Sequence, residues 1–269
     1  MIFRAIHRPT NNVNIASILL VLLCAAVLAA CGGSDTDNSE SDPGTAPTPS
    51  SSAEEDGASL SGAVLFTGPR PERVVLLIGS DPNCTMAHAD APLLSDREIV
   101  SEDGGVQNVF VYIKEAPAGE YPVPTQQVIL DQIGCRYIPH VMGVQLGQEL
   151  RVQNSDPTLH NVRSFARANR PFNNSQPKGA APRIKKFDKV EMGIRLKCDI
   201  HPWMTAFIFA MDHPFFATTD ENGAYAISGL PAGEYTLVAW HEKYGEQESL
   251  VTISEGEDAV ADFAFEPTE

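Results

Sequence analysis

The chain has 269 residues and a formal net charge of −16 at neutral pH, with hydrophobic residues making up 43%, enough to build real cores. Its length corresponds to about two domains of ~150 residues each. A chain this acidic is a poor binder of nucleic acid or of an anionic lipid surface, and neither is expected as a partner.

At the N-terminus Arg4 and Arg8 precede an apolar run over residues 15–30. The run is short for a membrane span and ends in small residues, which favours cleavage over retention. Leu28-Ala29-Ala30-Cys31-Gly32 resembles the lipobox of bacterial lipoproteins. The resemblance implies a signal peptide over residues 1–30 and lipidation of Cys31. The folded part would then hang from a bacterial membrane on its periplasmic or extracellular side, held by the lipid alone; which membrane is left open. An ordinary secretory cleavage site with a chance cysteine is the alternative. Residues 31–58 form an acidic Ser/Pro/Thr-rich stretch without a basic residue. That composition cannot bury a core and is expected to be a disordered linker.

From residue 59 the pattern turns to short β-rich runs bounded by Gly and Pro: S-G-A-V-L-F-T-G at 61–68, R-V-V-L-L-I-G at 73–79, V-F-V-Y-I at 109–113 and Q-V-I-L at 127–130. No segment before Lys186 sustains a 3.6-residue apolar period, so an all-β architecture is expected. Gly104-Gly105 and residues 117–124 mark turns. Residues 145–162, Q-L-G-Q-E-L-R-V-Q-N-S-D-P-T-L-H-N-V, read as a strand and a turn that deliver His160. Residues 163–189 then collect eight Lys or Arg against one acid, Asp188, and read as a solvated loop with a possible docking role.

The stretch over residues 192–204, M-G-I-R-L-K-C-D-I-H-P-W-M, organises the chemistry. Met192, Ile194, Leu196 and Cys198 alternate with Gly193, Arg195 and Lys197, so a half-buried strand delivers Cys198 inward at its end. His201 and Met204 follow on one tight loop. With His160 upstream, four soft or borderline donors can converge from two loops, a set that suits copper better than magnesium or calcium. Of the five cysteines, Cys24 lies in the signal segment, Cys31 at the processing site and Cys198 at the proposed metal. Cys84 and Cys135 remain as an even pair and are read as a disulfide, in keeping with an oxidising compartment; two unpaired core thiols are the alternative. His88, His140, His213 and His241 have no close Cys or His partner and are read as structural imidazoles.

Beyond Asp212-His213-Pro214 the chain carries T-T-D-E-N-G-A-Y-A-I and G-L-P-A-G-E-Y-T-L. Asn222-Gly223 is a hairpin signal and residues 230–233 a second turn. These marks resemble the carboxypeptidase regulatory-like, transthyretin-type β-sandwich. A complete module of that type needs an opening strand, and S-G-A-V-L-F-T-G is the available one. Residues 59–103 therefore either complete the C-terminal sandwich over 214–269 or belong to the copper domain.

The loop C-D-I-H-P-W-M resembles the ligand loop of blue copper proteins, with a His-to-Met spacing like that of amicyanin. Residues 144–162, V-Q-L-G-Q-E-L-R-V-Q-N-S-D-P-T-L-H-N-V, resemble the strand, turn and His-Asn-Val that carry the first histidine in plastocyanin and amicyanin. The resemblance covers roughly residues 104–213 and implies a cupredoxin-like Greek-key β-sandwich. It also implies one type 1 copper ion held in plane by His160, Cys198 and His201, with Met204 as a weak axial ligand and Asn161 hydrogen-bonded across to the cysteine loop. His201 would show its ring edge at the surface as the electron exit. The implied function is one-electron transfer with a redox protein such as a cytochrome c or another copper protein, without enzymatic chemistry. A copper oxidase or nitrite reductase is the rival enzyme reading, but Lys197 and Asp199 flank Cys198 where those enzymes place histidines. A periplasmic copper carrier or storage lipoprotein is the alternative from the binding class.

Overall fold

The computed structural model describes residues 58–267. Cys24, Cys31, the signal segment and all of the expected linker but Ala58 lie outside the described residues. The chain runs through β1 (Ala58–Phe66), the short helix α1 (Pro82–Ala87), β2 (Phe110–Ile113), β3 (Val128–Ile133), β4 (Arg136–Ile138) and β5 (Val141–Gln145). It continues with β6 (Leu150–Asn154), β7 (His160–Ser164), β8 (Asn173–Gln176), β9 (Arg183–Lys185), β10 (Glu191–Lys197) and β11 (Thr205–Met211). The last six strands are β12 (Phe216–Thr218), β13 (Ala224–Leu230), β14 (Gly233–His241), β15 (Gly245–Ile253), β16 (Ala259–Val260) and β17 (Phe263–Phe265). The fold class is all-β.

Four sheets build two sandwiches. In the first, the sheet β4-β3-β6-β9 faces the sheet β5-β11-β10-β7-β8 across a core of Leu130, Val144, Val152, Ile194, Leu196 and Ile208. In the second, β12-β2-β14-β15 faces β13-β1-β16, with β17 also on β1, across a core that includes Leu60, Val111, Ile113, Leu237 and Phe265. The inner sheets of the two sandwiches also pack on each other. Phe110 stacks on Phe209 with ring centroids 4.0 Å apart, and Trp240 meets Phe207 and Phe209 edge-on.

Strand sequence explains this stacking. In β11, Ala206, Ile208 and Ala210 face the first core while Phe207, Phe209 and Met211 face the junction. In β2, Val111 and Ile113 face the second core and Phe110 and Tyr112 the junction. Strands buried on both faces read as continuous apolar runs, as A-F-I-F-A-M and F-V-Y-I do. Each fully buried large side chain contributes about 1.5–3 kcal/mol, so the junction is an extension of the cores. Gly143 on β5 makes room for it, because a Cβ there would stand 2.2 Å from the Phe216 ring.

Strand pairing differs from expectation in four places. β2 pairs with β12 and β14, so residues 110–113 belong to the C-terminal sandwich and the first sandwich starts nearer Val128 than residue 104. Residues 73–79 form no strand beyond the isolated Val75–Leu94 bridge, and Val74, Val75 and Leu77 stay exposed. Both edges of β1 are already taken, by β13 on one side and by β16 and β17 on the other, so the run has no ladder to join. The Asn222-Gly223 turn joins β12 and β13, which lie in opposite sheets, so it is a crossing and not a hairpin. Residues 163–189 carry two edge strands, β8 on β7 and β9 on β6, and thus pass from one sheet of the first sandwich to the other.

Candidate metal centre

His160 is delivered by a loop that the backbone shapes with buried polar side chains. Asn154 ends β6, donates from Nδ2 to the Thr158 and Gln176 carbonyls, and accepts from the Asp156 amide at Oδ1. Such an Asx turn reverses the chain without secondary-structure bonds. Asp156 in turn accepts from the amides of Gly134 and Cys135, both at 2.7 Å. His160 then starts β7, fully buried.

The second loop is closed by its own ladder. Lys197 pairs with Thr205, and inside that pair the Cys198 amide donates to the Met204 carbonyl and the Met204 amide to the His201 carbonyl. Cys198, His201 and Met204 are each 1% exposed. The His201 amide lies 3.4 Å from the Cys198 sulfur, a contact that stabilises thiolate charge. Asn161 ties the two loops together. Its Oδ1 accepts from the Asp199 amide at 2.8 Å and lies 3.3 Å from the Cys198 sulfur, while its Nδ2 donates to Asn173 and Asp199.

Donor atoms of His160, Cys198 and His201 lie within 4.8 Å of one another. Nδ1 of His160 is 2.8 Å from Nδ1 of His201, which is 3.8 Å from the Cys198 sulfur. Behind the rings, His160 Nε2 is 2.8 Å from Asp156 Oδ2 and His201 Nε2 is 3.2 Å from Asp81 Oδ2. An ionised carboxylate only accepts, which assigns the ring proton to Nε2 in both histidines. Two neutral rings so oriented turn bare lone pairs at each other and at a sulfur. That arrangement calls for positive charge, either a proton on one ring or a cation shared by all three donors.

The titration behaviour of the group agrees. Burial pushes His160 down, but its bond to Asp156 and the nearby Cys198 override this and raise it to about 9. Burial pushes the Cys198 thiol up, yet His160 and the surrounding backbone amides bring it below the usual range. His201 is lowered by burial and by the neighbouring His160. Two imidazoles and a thiol match a borderline or soft ion such as copper or zinc, and no carboxylate oxygen enters the donor set as magnesium or calcium would require. The residues therefore fit a copper ion. Met204 is buried in the same apolar cluster as Cys198, beneath the loop it closes.

One expectation about His201 fails. Its ring does not present an edge to solvent, because Asp81 and the helix behind it cover Nε2. Asp81 is the N-cap of α1, Pro82 follows it at the start of the helix, and Cys84 bonds Cys135 with an S–S distance of 1.99 Å. Asp-Pro before a short polar run is the helix-start signal that could have located this element. Asp81, Asp156 and Trp203, whose indole N–H donates to the Cys135 carbonyl at 3.0 Å, join the site without any ligand motif in the sequence to mark them. The remaining described histidines each have a partner: His88 the Gly134 carbonyl, His140 the Glu242 carboxylate, His213 the Phe215 amide and His241 the Lys243 amide.

The family model of the carboxypeptidase regulatory-like domain matches residues 208–266. No curated protein matches the chain. Among solved structures, a Cu-containing nitrite reductase from Thermus scotoductus SA-01 is similar at 18% identity and a TM-score of 0.30, over 36% of this chain and 25% of that one, so the chain spans about a quarter of that enzyme's length. Amicyanin from Paracoccus versutus is similar at 17% identity and a TM-score of 0.28, over 37% of this chain and 96% of that one. A purple cupredoxin from Nitrosopumilus maritimus is similar at 18% identity and a TM-score of 0.27, over 31% and 97%.

Proposed function

We propose that this chain is a copper protein that carries single electrons, with one ion that would be held by His160, Cys198 and His201 and more weakly by Met204. The observation that carries the reading is the pair of Nδ1 atoms 2.8 Å apart beside the Cys198 sulfur, with both outer ring nitrogens already committed to carboxylates. When bound, copper supplies a one-electron couple. The chain supplies the rest. The backbone amides of Asn161 and His201 would stabilise the thiolate, the Asn161 side chain ties the cysteine loop through the Asp199 amide, the two loops are pinned to one sheet, and the surrounding core excludes water.

Burial supports this reading over its rivals. His160 is 0% exposed and Cys198 and His201 1% each, so a substrate has no approach to the ion and a carrier has no open ligand to hand it on. Electron transfer needs neither. The purified chain loaded with copper should be intensely coloured when oxidised and bleach on reduction. A colourless form that gives up Cu(I) to a chelator would instead support the carrier.

In this proposal Cys31 anchors the chain to a bacterial membrane by lipid, and the partner is an acidic redox protein such as a cytochrome c or another copper protein. With the outer edge of His201 covered, docking is assigned to the face beyond Cys198. There Asp199, Arg163, Asn173 and Phe165 are exposed, and Arg163 lies 3.5 Å from Asp199 and 5.0 Å from the Phe165 ring centre.

A further inference from the structure

The two carboxylates behind the histidines share an anchor. Asp156 Oδ2, which faces His160, accepts from the amide of Cys135 at 2.7 Å. Asp81, which faces His201 through Oδ2, accepts at Oδ1 from the amides of Asn83 and Cys84, at 2.7 and 3.3 Å. Cys84 and Cys135 are bonded to each other. One covalent link therefore joins the two segments whose own amides orient the two carboxylates.

Their supports are unequal. Asp156 is 6% exposed and is held from three sides, by Gly134, Cys135 and the Asn154 turn. Asp81 rides on a segment that leaves the C-terminal sandwich after β1 and returns to it before β2, reaching the metal end of the other sandwich in between. There it is held by the disulfide, by the Thr158 hydroxyl at 2.8 Å and by His88 on the Gly134 carbonyl. A six-residue helix has little stability of its own, so its position depends on those ties.

We propose that Asp81, placed by the Cys84–Cys135 disulfide, is a positioning residue for the copper ligand His201, and that with Asp156 it biases the site toward Cu(II). This rests on the copper reading above. A carboxylate that accepts from the far nitrogen of a ligand imidazole orients the ring and raises its basicity, and such partners are commonly worth tenfold to a hundredfold in metal affinity. Two added negative charges favour the more highly charged ion. The ordinary cupredoxin expectation of an open histidine edge is thus replaced by a closed and polarised one, built by a segment from the other sandwich.

The test uses the full chain and competition titrations with chelators to obtain the Cu(II) and Cu(I) affinities separately. Asp81→Asn keeps Oδ1 for the helix cap, since Asn and Asp cap equally well, but presents an amide where Oδ2 faced His201. The ratio of Cu(II) to Cu(I) affinity should fall about tenfold to a hundredfold, with the thiolate absorption shifted but retained. Asp156→Asn should lower the ratio in the same direction. The Cys84→Ser/Cys135→Ser double variant should reproduce the Asp81→Asn shift, and adding Asp81→Asn to it should change nothing more, because the disulfide acts through Asp81. An unchanged ratio in Asp81→Asn, or shifts that add, would overturn the proposal. If the serine double variant does not fold by circular dichroism, the two Asn variants decide. A wild-type chain that takes up no copper would overturn the copper reading itself, an outcome separate from coloured wild type with unresponsive variants.

Discussion

The two sandwiches are built from the same kind of strand and differ in what they bury. The C-terminal one fills its core with aliphatic and aromatic side chains such as Leu60, Val111, Ile227, Leu237 and Phe265. The other adds to its apolar core a buried polar end made of Gln132, Asn154, Asp156, His160, Asn161, Gln176 and His201. Buried polar groups destabilise unless bonded, and these bond to one another, as in the 2.7 Å contact from Gln132 Nε2 to Gln176, although Gln132 Oε1 has no partner among the described residues. A polar end of that kind orients donors, whereas the buried Thr219, His213 and His241 of the C-terminal sandwich are scattered and converge on no common point. The C-terminal sandwich still serves the site, by anchoring the inner sheet through Phe110 and by sending out the segment that carries Asp81.

The sharpest break between the two halves is Cys198→Ser. It should abolish the thiolate-to-copper absorption entirely while the unfolding transition stays cooperative, and any retained colour would remove Cys198 from the ligand set. Phe209→Ala addresses the contact between the halves. Removing a ring stacked 4.0 Å from Phe110 should cost about 3–5 kcal/mol in denaturant unfolding, because a cavity remains at the junction. If the loss is under ~1 kcal/mol, the two sandwiches are stabilised independently.

A milder contrast comes from pH. Burial at the end of β14 lowers His241 to about 4, so the folded state refuses a proton that the unfolded chain accepts near its ordinary 6.5. Its contribution is therefore complete above pH 6.5, declines as pH falls toward 4 and is constant below that, amounting to about 3 kcal/mol. In His241→Gln the difference from wild type should shrink over that window, as read by urea unfolding at pH 7 and pH 4.5. A parallel pH profile in both proteins would mean that His241 is not held neutral.

If Met204 is the weak fourth donor proposed for it, Met204→Leu should keep copper and raise the reduction potential, since losing that donor disfavours Cu(II); an unmoved potential in voltammetry would remove Met204 from the ligand set. The smallest effect is expected from the basic crossover. Replacing Arg167, Arg170, Lys185 and Lys186 with Gln should slow transfer at low salt and flatten its ionic-strength dependence, with the visible spectrum unchanged. An identical salt slope in stopped-flow kinetics would leave the segment a structural crossover only.

Much of the molecule was legible in local pattern. Alternation in residues 194–198 aimed Cys198 inward because the side-chain period of a strand is two, although a bulge at Gly193 turns Met192 to the junction instead, and the close spacing of Cys198, His201 and Met204 put three donors on one loop whatever surrounds it. Cys84 and Cys135 could be paired by elimination. What tertiary structure alone decided depends on neighbours far away in sequence. Whether residues 73–79 and 110–113 are strands, and in which sheet, turned on which strand edges were free, and strands from the far C-terminal part of the chain settled that: β13, β16 and β17 fill the edges of β1, and β14 pairs with β2. The Asn222-Gly223 turn has the local chemistry of a hairpin, with Gly223 at a φ of 77°, but it crosses between sheets, because β12 pairs with β2 in one sheet and β13 with β1 in the other. The environment of His201 shows the same limit. Its place in the donor set follows from spacing along seven residues, but its closure depends on Asp81, 120 residues earlier, brought there by a disulfide. Local spacing can name the atoms that face an ion; only the packed chain determines what stands behind them.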